Sequence, residues 1–386
     1  MGNKKGGYMS EIIELCQKLI KFSSYNNQME DIMSFLQEYF CKSGFNVRLM
    51  DFKATNGKAV KNFCATYGTG HPHLLFVGHA DVVPAGCFSD WIYPPFDAVI
   101  KDEILYGRGI ADMKGGIACF AKACTDFISS EKFNGKITVI ISGDEEEPIV
   151  DGTDRILEKL AKEGEQFDFA LVGEPSNPKT MGDEIKVGRR GDMVLRISSF
   201  GQQGHTAYAD SASNPVYNLI NLLYRIQNDT LDKGNDYFSP SAIHVTTFDV
   251  GNSASNVVPA KADAVVDIRF NSEQNFESIE KWLDSHVQKA GGQFKIEKEY
   301  IGNSFLTKID KNIQRLKDIV KKHTGKTPVY STAGGTSDAR FVSKYCPVAE
   351  YGLTNATIHK TNECEKIENI ETLYKVYKDF LKEFFL

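Results

Sequence analysis

No apolar stretch of this chain approaches the roughly 20 consecutive residues that a membrane-spanning helix needs, so no such span is expected. No block of basic residues stands out either, and the net charge is −6. That balance argues against nucleic acid or an anionic membrane as the main partner, and any anionic ligand must be met by local positive charge. The eight cysteines, Cys16, Cys41, Cys64, Cys87, Cys119, Cys124, Cys346 and Cys364, are dispersed without a C-x-x-C pair. With no secretory leader before them, reduced thiols in a cytoplasm are the expectation, and buried cysteine usually behaves as a small hydrophobe. Met1-Gly2 resembles a myristoylation start, but Gly6 stands where Ser or Thr is required. Residues Met1 to Tyr8 read as a disordered leader or appended remnant ahead of a start at Met9. There is no internal repeat and no low-complexity segment.

What is present suits a globular enzyme: 386 residues, 41% hydrophobic and 25% charged, enough for one large or two ordinary domains. Helical spacing runs through Ile12, Ile13, Leu15, Cys16, Leu19 and Ile20, and again from Asp31 to Phe40 with Gly44 as the stop. A third helix is predicted over Met113 to Ile128, opening beside Gly115 and Gly116, small residues that let backbone approach closely. Short apolar runs at Leu74 to Gly78, Ile137 to Gly143 and Phe169 to Gly173 read as strands buried on both faces of a helix-covered sheet. The alternation resumes with a helix over Asp310 to His323, a strand over Val348 to Tyr351 and a helix over Ile370 to Phe385. The expected class is therefore α/β, with residues 1–190 and 302–386 in one layered α/β/α domain.

Residues 191–301 read differently. Their order is strand (Met193 to Phe200), helix (Asn214 to Asn228), strand (Ala242 to Asp249), strand (Ala262 to Asn271), helix (Phe276 to Ala290) and strand (Gln293 to Tyr300). That βαββαβ order is the ferredoxin-like pattern, and it predicts an inserted domain.

Five side chains of metal-ligand type fall where predicted strands or turns end: His79, Asp112, Glu146, Glu174 and His359. In such sheets ligands bind beyond the carboxyl ends of the strands, so three strands deliver candidates to one edge. Each is unremarkable alone. H-x-D at His79 to Asp81 is usually a capping pair, and Asp144-Glu145-Glu146-Glu147 would usually be a solvated loop, though here it follows a buried strand and stops at Pro148. Together they read as a two-metal hydrolytic site. Zinc binds imidazole and carboxylate at neutral pH, and ions about 3.5 to 4 Å apart need an acid that bridges both. A further carboxylate must accept the proton of the attacking water, and the adjacent Glu145 and Glu146 can divide ligation from base work. Asp81 can orient the His79 imidazole through its other nitrogen.

The segments Gly78-His79-Ala80-Asp81, Gly107-Arg108-Gly109 with Ala111-Asp112-Met113-Lys114-Gly115-Gly116, Asp144-Glu145-Glu146, Gly173-Glu174-Pro175 and Gly334-Gly335-Thr336-Ser337-Asp338 resemble the M20 family of dizinc peptidases and deacylases, in order and over nearly the whole chain. Gly188-Arg189-Arg190-Gly191 and Asn355 to Glu363 narrow the resemblance to its desuccinylase branch, with acetylornithine-type deacetylases and carboxypeptidases as sibling alternatives. The resemblance implies a zinc-peptidase α/β/α catalytic domain, a dimerisation or lid domain in the insert, a cytoplasmic homodimer and a small anionic N-acyl amino-acid substrate. It implies two Zn2+ per subunit, which Co2+ may replace: one held by His79 and Glu174, the other by Glu146 and His359, with Asp112 bridging. Glu145 would be general base and acid, Asp81 the supporting carboxylate beside His79, and His205 an oxyanion donor reaching the other subunit's site. Arg189, Asn256, Arg269, Thr336 and Asn355 match substrate-holding positions, and the Asp112–Met113 peptide is expected to be cis. Three positions depart from the branch: Ala80 for the frequent Thr, Asp192 where Ser is common, and Asp210 where Pro is usual. The two added acids are expected to reshape recognition of an anionic substrate by like-charge repulsion.

Overall fold

A computed structural model describes residues 5–26, 28–53, 59–146, 152–209 and 214–386. Contacts divide the chain into two compact units, Met1–Val187 with Thr307–Ser331 and Ser337–Leu386, and Gly188–Leu306 with Thr332–Thr336.

The first unit is built on an eight-stranded sheet in the order Asn46–Leu49, Phe63–Thr69, Gly135–Ser142, His73–His79, Phe169–Val172, Val348–Glu350, Glu184–Lys186, Val329–Ser331. Its four middle strands, Gly135–Ser142 through Val348–Glu350, run parallel. Every residue of His73–His79 and of Phe169–Val172 is buried, which requires cover on both faces. Part of that cover is the packed helix pair Gly115–Ser130 and Ile367–Phe385, where Phe120 stacks on Phe76 at 3.9 Å between ring centroids and Tyr377 meets both rings edge-on. The apolar positions predicted for the first helix are all buried.

Element edges differ from the sequence reading in instructive ways. The first helix spans Lys5–Ile20, so Lys5 to Tyr8 belong to it rather than to a disordered leader; Met1 to Lys4 lie outside the described residues. The third helix begins at Gly115, not Met113, because Asp112 and Met113 hold non-helical backbone angles in the turn Ile110–Lys114. The Asp112–Met113 peptide is cis. Gly116 sits where a Cβ would come within 2.5 Å of the Gly173 carbonyl oxygen, so only glycine lets this helix entrance press against the strand end that carries Glu174.

The second unit is the expected βαββαβ arrangement. Strands Ala242–Asp249, Lys261–Phe270, Gly191–Phe200 and Gln293–Gly302 lie in that spatial order, all antiparallel, with helices Pro215–Gln227 and Phe276–Ala290. Its core joins Met193, Leu195 and Ile197 to Leu219, Leu222, Ile226, Ile279 and Leu283. Alternating burial along Lys261–Phe270 marks one sheet face packed on the helices. Asn214 caps one helix and Asn275, with Ser278, makes a capping box on the other.

All eight cysteines are free thiols, and burial pushes those of Cys16 and Cys64 up to about 12. Among the described residues no helix is long and apolar enough to cross a membrane.

Candidate metal centre

Strand register brings the acids and imidazoles together in the first unit. His79 pairs opposite Ser142, and Val77 opposite Val172, so the chain leaves three adjacent parallel strands at one level. His79 ends the middle strand, Glu145 and Glu146 follow one neighbour, and Glu174 follows the other. Asp112 arrives from the turn Ile110–Lys114, and His359 from the loop before strand Cys364–Lys366, with a left-handed φ of 58° unusual for a residue with a side chain.

The Asp112 carboxylate faces a different imidazole with each oxygen. Oδ1 is 3.2 Å from His79 Nε2 and Oδ2 is 3.2 Å from His359 Nε2. Glu174 Oε1 stands 3.4 Å from the His79 nitrogen, and Glu146 Oε1 stands 2.9 Å from that of His359. Two three-residue sets result, His79–Asp112–Glu174 and Asp112–Glu146–His359, sharing Asp112. A tetrahedral cation with bonds of about 2.0 to 2.1 Å separates its ligand atoms by about 3.3 Å, close to these spacings. The donor set therefore fits two divalent ions sharing one carboxylate. A third set, His79–Glu145–Glu146, also lies within ligand reach, although Glu145 Oε2 is 4.0 Å from His79 Nε2.

Electrostatics agree with a cation site. Burial pushes the Glu145 carboxyl well above the usual carboxylate range, against the pull of His79. Burial and the Asp112 charge raise Glu174 to about 7. Burial would discharge His79, but the neighbouring carboxylates of Asp112, Asp81 and Glu174 hold its pKa well above the ordinary value. Asp112 and Glu146 raise His359 to about 10. Carboxylates gathered this closely and this deep need compensating positive charge.

Asp81 stands beside His79, on the Nδ1 side of the ring, and makes a second set of contacts. Its carboxylate is 3.6 Å from His79 Nδ1, beyond a hydrogen bond, and the ring nitrogen instead meets the Asp81 backbone carbonyl at 3.1 Å. The carboxylate Oδ2 accepts the backbone N–H groups of Glu145 at 3.0 Å and Glu146 at 2.8 Å, fixing the start of the acid loop. Glu147 and Pro148 of that loop lie outside the described residues.

Two further buried acids support the site without having been singled out from sequence. Asp338 Oδ2 accepts the Thr153 hydroxyl at 2.5 Å and the Ser142 hydroxyl at 3.4 Å, the two residues flanking the acid loop. Glu363 pairs with Arg108 at 2.7 Å and accepts the N–H groups of Gly109, Ala111 and Asp112. Both stand inside the family-like segments, but nothing in the spacing distinguishes them from ordinary surface acids.

Of the substrate-holding candidates, Asn355 lies in the first unit, half-buried, its N–H donated to the Asn177 carbonyl. The others lie in the second unit. Arg189 is buried and donates to the Gly335 carbonyl at 2.9 Å, with Gly334 at φ 104° leaving room for the guanidinium. Arg269 is engaged by Asp267 at 2.8 Å and by Asp192 at 2.9 Å, so its fork already meets two carboxylates of its own unit. Asp192 is buried against that arginine, which changes the expectation of an acid directed at substrate. Asn256 is exposed, Thr336 half-buried, and His205 exposed with Nδ1 accepting the Ala207 N–H at 3.1 Å. Asp210 lies outside the described residues.

Comparison with known proteins gives a consistent result. Residues 75–383 match the model for peptidase family M20/M25/M40. The chain is 40% identical over 374 residues, 97% of its length and 93% of the relative's, to a succinyl-diaminopimelate desuccinylase of Wolbachia pipientis wMel. It is 42% identical over 377 residues, 97% of its length and 95% of the relative's, to a protein of the same name from Parvibaculum lavamentivorans. Among solved structures, an M20 family metallo-carboxypeptidase from Sulfolobus solfataricus superposes with a TM-score of 0.77 at 20% identity, covering 96% of this chain and 98% of that one.

Proposed function

This chain belongs to peptidase family M20/M25/M40, and from that premise we propose that it is a succinyl-diaminopimelate desuccinylase. The reaction is hydrolysis of N-succinyl-LL-2,6-diaminopimelate to succinate and LL-2,6-diaminopimelate, in the cytoplasmic route to diaminopimelate and lysine. The observation that carries the reading is 40 to 42% identity, over 97% of the chain, to relatives bearing that name, in a chain that keeps the acids and imidazoles the chemistry requires.

His79 and Glu174 would hold one zinc, Glu146 and His359 the other, and Asp112 would bridge them; cobalt is an acceptable replacement. Ions bound there polarise the scissile carbonyl and acidify the attacking water. Glu145, half-buried and not needed to complete either ligand set, takes the water's proton and returns it to the leaving amine. Asp81 holds the backbone from which Glu145 projects. His205 steadies the oxyanion in the partner subunit's site. Arg189, Asn256, Thr336 and Asn355 contact the substrate's polar groups, and Arg269 joins them only if a substrate carboxylate replaces Asp192 or Asp267.

In this reading the ferredoxin-like unit is a lid and dimerisation domain. Supporting this, helix Pro215–Gln227 exposes Tyr217, Ile220 and Tyr224 along one stripe, and strand Ala242–Asp249 is a sheet edge with Val245 and Phe248 exposed. An open edge beside an apolar helix face suits pairing with a second copy.

The test is a substrate panel on the zinc-loaded protein. Cleavage of succinyl-diaminopimelate well above N-acetylornithine is expected; the reverse preference would refute the desuccinylase assignment while leaving the family intact.

A further inference from the structure

The hydrogen bonds around Glu363 tie two parts of the metal centre that are distant in sequence. Glu363 is 1% exposed. Its Oε1 accepts the N–H of Ala111 at 2.9 Å and of Asp112 at 3.3 Å, and its Oε2 accepts that of Gly109 at 3.0 Å while pairing with Arg108 at 2.7 Å. The carboxylate thus holds the turn from which Asp112 projects. Glu363 is also fastened to the loop that carries His359. Its backbone carbonyl accepts the Gly107 N–H at 2.9 Å, extending the pairing of Cys364–Lys366 with Ile104–Tyr106. Thr357 closes that loop by bonding both the carbonyl and the N–H of Cys364, and Arg108 donates to the Lys360 carbonyl at 3.3 Å. The guanidinium lies 5.2 Å from the centre of the Trp91 ring, which caps the pair. The turn bearing Asp112 and the loop bearing His359 are therefore one assembly with Glu363 at its centre, whereas His79 and Glu174 are set by the sheet.

We infer that Glu363 is a positioning residue that assembles the His359–Glu146 metal subsite by locking His359 to the bridging Asp112, and that the His79–Glu174 subsite does not depend on it to the same degree. This rests on the two-metal reading, not on the substrate. Partners of metal ligands typically change metal affinity by about 10- to 100-fold when removed. Glu363→Gln keeps the shape but places an amide donor among N–H and guanidinium donors.

The experiment titrates metal-stripped full-length protein with Co2+, following heat and visible absorption, so it does not depend on which substrate is cleaved. Glu174→Gln and Glu146→Gln identify the two binding steps. Glu363→Gln is expected to weaken by about 10- to 100-fold the step that Glu146→Gln weakens, and to leave the other within a few-fold. Because a lone buried Arg108 charge could unfold the single variant, Glu363→Gln/Arg108→Met, which strands no charge, is measured alongside and is expected to show the same selective loss. Equal weakening of both steps, no weakening, or full recovery of both steps in the double variant overturns the inference.

Discussion

Replacing Glu145 by Gln separates the two chemical roles that adjacent acids leave open. Glu145 Oε2 is 4.0 Å from His79 Nε2, while Glu146 Oε1 is 2.9 Å from His359 Nε2. The backbone N–H groups of both residues are held by Asp81, so an isosteric amide at either position should leave the loop's path unchanged. Removing a general base typically costs about 10² to 10⁴ in rate, or about 3 to 5 kcal/mol of transition-state stabilisation. Glu145→Gln should therefore retain two metal ions after gel filtration, measured by elemental analysis, while kcat falls by about two to four decades. Glu146→Gln should lose metal as well as rate. Glu145→Gln with near-normal turnover would exclude it as the base. Loss of one metal from Glu145→Gln would instead assign it to the His79–Glu145–Glu146 set that the geometry also permits.

Three other outcomes are expected. Mixing inactive His205→Ala with inactive Glu145→Gln subunits should restore part of the activity, because one site of a heterodimer then has both residues; no recovery after proven subunit exchange would count against the trans arrangement. Arg189→Ala should slow cleavage of the succinylated substrate by about one to two decades more than that of an N-acetyl compound, since a hydrogen bond to a charged group contributes roughly 1.5 to 3 kcal/mol; equal slowing of both would refute its role in carboxylate recognition. His73, at the opposite end of its strand from His79, has its pKa lowered to about 4 by burial and by Lys136. Its unfolded form binds a proton near pH 6.5 and the folded form only near 4, so stability is fully present above 6.5 and is lost as pH falls toward 4, by about 3 kcal/mol in total. Denaturant midpoints of His73→Gln should fall less steeply over that window, and an unchanged slope would refute the assignment.

The sequence was most legible where burial is continuous. His73–His79, Gly135–Ser142 and Phe169–Val172 are apolar runs because both faces of the sheet are covered, and their ends revealed where His79, Glu146 and Glu174 emerge. The ferredoxin-like unit was legible for a different reason: its strands and helices alternate in an order with few alternatives, and Asn214 and Asn275 mark helix starts. Phe63–Thr69 was less so, being half-buried and running into Gly68, as were the three-residue strands Glu184–Lys186 and Val329–Ser331, which exist mainly through their neighbours' hydrogen bonds.

The supporting acids were hidden for a deeper reason. Glu146 and Glu174 could be read as ligands because their imidazole partners have an identity in the sequence, and candidate pairs can be weighed for chemistry. Asp81 and Glu363 act mainly on backbone N–H groups, which every residue but proline carries. No residue pattern marks such a partner, and only the fold decides which amide comes within 3 Å of a carboxylate. The same logic explains why the sequence places Asp81 beside His79 and yet does not reveal its contacts with the acid loop. H-x-D spacing says that the acid is close to the ring, but the turn directs its carboxylate toward the amides of Glu145 and Glu146 and leaves the ring to the Asp81 carbonyl at 3.1 Å. A metal centre of this kind is thus legible from sequence in its ligands, while the carboxylates that hold those ligands in register become visible only once backbone positions are known.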